Sequence, residues 1–131
     1  MWEDAELHFR LALAGARWRH LPEVLTWSLR NPTSFSHDYR KNCHHHLHFI
    51  EKHARDPRCV RLRDQFAKQA EVDAVALLRL NDSAGAAEAV NLARSLGLRP
   101  PSSRNPVWGI LRPLLPDLTL LRLQAWLRRG R

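Results

Sequence analysis

The stretch "EVDAVALLRLNDSAGAAEAVNLARSLG" (71–97) most constrains the fold. Two alanine- and leucine-rich runs of helical period flank the tripeptide Asn81-Asp82-Ser83. Before it, residues 58–80 place Val60, Phe66, Ala70, Ala74 and Leu77 near one face of a helix. After it, residues 83–96 form a second helix, closed by Gly97. So short a connection makes the two an αα-hairpin. The pair resembles one unit of a helical repeat, but no second copy follows.

Punctuation on either side sets the other elements. Residues 37–54 read as a helix stopped at Asp56–Pro57, with Ser34 or Ser36 able to cap its start. "RPPSSRNP" (99–106) reads as a linker, followed by two short proline-started helices near 106–115 and 116–129. At the other end, residues 4–14 form a helix with a Leu7, Leu11, Ala14 stripe flanked by Phe9 and Leu13. Glu3, Asp4 and Glu6 occupy its first turn, where the helix dipole favours acids, and Gly15 stops it. Residues 17–30 carry strand formers (Trp18, Val24, Leu25, Thr26, Trp27) broken by Pro22, and read as one or two short strands. "NPTSFS" reads as a loop. The expected fold class is mainly α: a short α/β remnant, one helix plus one or two strands, then a helical C-terminal extension with the hairpin. The boundary falls near residue 36.

Of 131 residues, 21 are Lys or Arg and 13 are Asp or Glu, a net charge of +8. Residues 1–56 contribute 8 cations against 7 acids; residues 57–131 contribute 13 against 6. A basic second half points to an anionic partner or simply to an arginine-rich solvated surface. Cys43 and Cys59 make no disulfide framework and no secretory signal precedes them. Both thiols are therefore expected free, in a reducing, cytoplasmic setting. The most apolar stretch, "VWGILRPLLPDLTLLRL", is cut by Arg112, Pro113, Pro116, Asp117 and Arg122, so no membrane span is expected.

"CHHHLH" (43–48) invites a metal reading, because His44 and His48 are neighbours one helical turn apart. No further ligands stand at a recognisable spacing, so the preferred reading is a partly exposed helix with polar histidines and no metal.

One longer pattern carries chemistry. The chain opens with "ED" at Glu3–Asp4, continues as E-D-x-E-L-x-x-R-L-x-x-x-G, and then reads "WRHLPEVLTWSLRNPTSFS" over 18–36. Order, spacing and the LPEVL core at 21–25 resemble the closing part of the catalytic domain of family 2 glycosyltransferases, which have the GT-A fold. Residues 37–131 look like the helical C-terminal extension of bacterial members. The resemblance implies that Asp4 matches the catalytic base of an inverting transfer, deprotonating the acceptor hydroxyl as it attacks the anomeric carbon. It implies acceptor-binding roles for Glu3 and for Trp2, whose ring suits an apolar sugar face. Arg30 and Asn31 fall where the family approaches the diphosphate. Asn31 stands where many members carry His, and Leu29 where an aromatic is common.

In this family the nucleotide-binding half and its Asp-x-Asp motif precede "ED". No such triplet occurs here; "EVD" at 71–73 reads as solvated helix surface. The chain is therefore expected to be a C-terminal portion or one half of a split enzyme, inactive alone and without a cofactor of its own. A complete member is expected to use Mg or Mn. Nucleotide-sugar and acceptor become partners only when the other half is supplied. The apolar residues that the missing sheet would cover, Leu7, Leu11, Trp18, Val24 and Trp27, are expected to pack on the helical tail, associate with a second chain or stay loosely ordered.

The alternative function is a non-enzymatic basic helical module on an anionic surface such as the inner membrane face. Arg122, Arg128, Arg129 and Arg131, with Trp108 and Trp126, would make that contact. Against it, the Leu118, Leu121, Ala125 stripe, widened by Leu120, Leu123 and Leu127, is preferred as a helix buried on the hairpin. Nucleic acid ranks last, because no recognition motif accompanies the charge.

Overall fold

The computed structural model describes residues 2–19, 22, 38–102, 108, 111 and 113–127. Among them the architecture is mainly α: α1 (Trp2–Leu13), α2 (Tyr39–Ala54), α3 (Arg63–Arg79), α4 (Ser83–Ser95) and α5 (Asp117–Leu127), with a 3-10 turn at Pro57–Leu62. Residues 16–19 have no regular structure. The rest of the expected strand region, the "NPTSFS" loop and most of the first proline-started helix lie outside the described residues.

The hairpin α3–α4 is the centre; α2 and α5 both pack on it, and α1 packs on α2. Its two helices meet through small side chains. Ala67, Ala70 and Ala74 of α3, and Ala86, Ala89 and Ala93 of α4, are all buried. Alanine keeps helix propensity high while letting the backbones approach closely. Larger residues then close the core from outside: Ile50 of α2, Leu77 of α3, and Leu120 and Leu121 of α5 are fully buried. Each contributes on the order of 1.5–3 kcal/mol relative to exposure.

Three helix ends share one device. At α1, Gly15 N–H bonds to Ala12 C=O and Ala16 N–H to Leu11 C=O. Asn81 N–H to Leu78 and Asp82 N–H to Leu77 repeat it at α3, and Gly97 to Arg94 with Leu98 to Ala93 at α4. This Schellman pattern needs one left-handed residue. Gly15, Asn81 and Gly97 supply it, with φ of 86°, 59° and 95°. Asp82 then caps α4 through its Oδ1, which accepts from Gly85 N–H at 2.9 Å.

Several expectations need correction. Helix α2 is capped by Asp38, whose side chain accepts from Lys41 N–H, and not by Ser34 or Ser36, which lie outside the described residues. Residues 57–62 are 3-10 and not α, so Val60 is exposed and not on the hairpin face. Asp56 accepts from Arg58 N–H and buried Cys59 pins the turn, which delays the α-helix to Arg63. The "linker" is partly built in: Pro100 and Pro101, joined by a cis bond, are buried, and Ser102 N–H donates to Glu71 at 2.7 Å. "EVD" is not solvated surface, because Glu71 receives that bond and Asp73 faces His46 of α2; both are buried. Trp108 is buried as well.

Candidate functional site

The first turn of α1 carries the residues singled out by sequence, and α2 determines where it points. Glu6 is clamped by two side chains of α2. Its Oε1 accepts from Lys52 Nζ at 2.6 Å and its Oε2 meets Nε2 of buried His53 at 2.8 Å. The hydrogen bond from Lys52, then that from His53, holds the Glu6 carboxyl below its ordinary range. One turn on, Phe9 packs edge-on to Phe49 (5.1 Å between centroids) and His53 (4.5 Å), with Phe66 at 6.2 Å. Leu13 also packs against the core.

The docked face of α1 is therefore Glu6, Phe9 and Leu13. The Leu7 and Leu11 stripe expected from periodicity is outside, 55% and 40% exposed. The reason is electrostatic and aromatic. Burying Leu7 and Leu11 instead would turn Glu6 away from Lys52 and His53 and remove Phe9 from the ring cluster.

Asp4 is the third residue of α1, inside the helix and not its cap, and it is exposed. Trp2 and Glu3 belong to the same turn. The next residue, Ala5, borders a groove of about 470 Å³ between α1, α2 and α3. Its α2 wall is one face of the helix at positions i, i+4 and i+7: Tyr39, Cys43 and His46, with Asn42 beside them. Asp73 and Ala76 of α3 complete it. His46 Nδ1 lies 2.8 Å from Asp73 Oδ2. Tyr39 stands 67% exposed at the rim.

This chemistry suits binding more than bond-making. Burial, and then the Asp73 carboxylate, pushes the Cys43 thiol up from its ordinary value, so it is protonated at neutral pH and a poor nucleophile. Tyr39 offers an aromatic platform, while Asn42 and His46 bring polar atoms to an otherwise apolar wall.

The other candidates are placed as follows. His44 Nε2 bonds to Asp82 Oδ2 at 2.9 Å across to α4, which occupies it, and His48 is exposed. Among the described residues no group of three His, Cys, Asp or Glu could hold a metal ion. Cys43 and Cys59 are both free, and both are buried. Arg122 is exposed on α5 and donates to Ser83 Oγ at 2.8 Å. Arg30, Asn31, Arg128, Arg129 and Arg131 lie outside the described residues. Leu120, Leu121 and Ala125 are buried on the hairpin, while Trp126 and Leu127 are exposed. No described helix is long and apolar enough to cross a membrane.

Sequence reasoning missed Glu6 as the anchor of α1, and missed Tyr39 and Asp73 as groove residues. The Glu6 signal was present as an acid spaced three residues from Phe9, but its partners lie 46 and 47 residues away. No family model matches the chain, and neither a curated protein nor a solved structure is significantly similar to it.

Proposed function

We propose that this chain is the C-terminal portion of an inverting family 2 glycosyltransferase, moving a sugar from a nucleotide-sugar to an acceptor hydroxyl. The observation that carries the reading is the placement of "ED". Asp4 stands exposed in the first turn of a helix that Glu6 and Phe9 dock on α2, next in sequence to Ala5, which borders a groove with an aromatic rim. A general base needs such a fixed and accessible carboxylate. Asp4 takes the proton of the acceptor hydroxyl as its oxygen bonds to the anomeric carbon. The bond to the nucleotide diphosphate breaks on the opposite face, and configuration inverts. The acceptor lies along the groove with its apolar face on Tyr39.

Donor binding falls to a nucleotide-binding half with an Asp-x-Asp motif, supplied by the same reading frame or a second chain. The described residues do not fit the Mg or Mn that such an enzyme uses. A cytoplasmic setting, peripheral to the inner membrane face, belongs to the same proposal.

The test begins with the genomic reading frame around the Met1 codon and its neighbours. A strand–helix pattern with Asp-x-Asp, upstream or in an adjacent gene, is expected. In the complete assembly, Asp4→Asn should lower kcat roughly 10²- to 10⁴-fold with little change in donor KM. Full transfer by Asp4→Asn overturns the assignment. Sugar-nucleotide turnover by this chain alone, lost in Asp4→Asn, overturns the need for another half.

A further inference from the structure

A second groove, of about 300 Å³, lies away from Asp4, where the α3–α4 turn meets α5. Its polar lining is Arg79 at the end of α3, Asn81 and Ser83 of the turn, and Arg122 of α5, with Trp126 as a wall. From these residues we infer that the groove binds a phosphomonoester, most simply the headgroup of a membrane lipid. The inference is independent of the glycosyl-transfer reading.

Charge is the first argument. Among the described residues no carboxylate lines the groove. Asp82, the acid of the turn, is engaged elsewhere: Oδ1 accepts from Gly85 N–H and Oδ2 meets His44 Nε2, with Arg40 Nε at 3.9 Å. Among the described residues Arg79 has no carboxylate partner, whereas Arg94 is paired with Asp117 at 2.6 Å and Arg58 with Asp56 at 2.7 Å. Two guanidinium groups thus share one concave site with no carboxylate of the described residues to neutralise them.

Orientation is the second. Arg122 is held across the groove by its bond to Ser83 Oγ, which leaves its other N–H groups for a ligand. The turn that sets the floor is rigid, because Asn81 is locked in the left-handed Schellman position and α2 grips the same turn through Arg40 Nη2 donating to Leu80 C=O at 2.7 Å. Two forked cations suit a tetrahedral dianion better than a single carboxylate, which one guanidinium satisfies.

The wall suggests the source. The volume exceeds that of a bare phosphate and leaves room for the attached carbon skeleton beside the indole. Trp126 is 68% exposed and Leu127 51%, adjacent on α5, with the exposed Arg122 one turn before Trp126. Exposed aromatic and aliphatic groups beside cations favour the membrane interface over bulk water.

The experiment uses the full chain. Binding is measured by calorimetry with glycerol 3-phosphate and inorganic phosphate. Co-sedimentation is measured with phosphatidylcholine vesicles carrying phosphatidic acid, or phosphatidylserine at matched surface charge. Arg79→Ala and Arg122→Ala should each weaken binding of the phosphatidic acid vesicles about tenfold. Arg79→Lys, which keeps the charge but loses the fork, should also weaken it. Arg10→Ala and Arg61→Ala, exposed cations that do not line the groove, should not. Trp126→Ala should reduce vesicle binding more than binding of free phosphate. Binding of the soluble phosphates alone, sensitive to Arg79 and Arg122, keeps the site and names a soluble ligand as its source. Equal binding to both anionic vesicles, with groove and control variants weakened alike, means diffuse attraction and overturns the proposal. No binding to any probe overturns it as well.

Discussion

Phe9→Ala is the sharpest test of how α1 is held. The ring is half-buried, so its lost transfer energy is about 1–1.5 kcal/mol, half that of a fully buried side chain. Its edge-on contact with Phe49 and tilted contact with Phe66 add about 1–1.5 kcal/mol more. The total is about 2–3 kcal/mol. It falls on one helix, because a 12-residue helix is marginal alone and α1 is tied to the rest mainly by Glu6, Phe9 and Leu13. The core of Ile50, Leu77, Leu120 and Leu121 does not include Phe9. The variant should therefore open α1 locally while leaving the α2–α5 bundle folded. Amide exchange in α1 should accelerate roughly 30- to 150-fold, at about 1.4 kcal/mol per decade. Exchange in α3 and α4, followed by mass spectrometry or NMR, should change little. Unchanged protection in α1, or equal losses in α1 and α3–α4, would refute the picture of a separately docked helix. In the complete assembly, the same opening would misplace Asp4.

Two further predictions probe the contacts around α2. A methyl at Gly85 would lie 2.7 Å from His44 Cε1, so Gly85→Ala must push that ring off Asp82. The helix-propensity gain of about 1 kcal/mol should be cancelled in the natural chain but recovered in a His44→Ala background, a coupling of about 1 kcal/mol by denaturant melts. Equal effects in both backgrounds would show that the ring does not sense position 85. The Glu6 clamp sets an acid limit on docking. Its carboxyl titrates lower when docked than when free, so the clamp's contribution is complete above the free value of 4.5 and is lost as pH falls through the docked value. Protection of the α1 amides, referred to the intrinsic exchange rate at each pH, should fall on acidification through that window, and Glu6→Gln should flatten the dependence; an identical acid profile in Glu6→Gln would assign it to other groups.

Elements whose causes are local can be read along the chain. The hairpin turn and the stops at Gly15, Asp56–Pro57 and Gly97 follow from residues within a few positions of one another. Backbone propensity and capping act at that range. Choices among faces were not. Leu7 and Leu11 have the better apolar spacing, yet α1 docks through Glu6 and Phe9, because Lys52, His53 and Phe49 wait on α2. Glu71 and Asp73 look like solvent-facing acids until Ser102 and His46 arrive from elsewhere in the chain. The Arg79–Arg122 groove, too, joins residues 43 positions apart in sequence. A side chain's partner across an interface is fixed only when the elements pack, and tertiary structure alone decides which polar groups meet there.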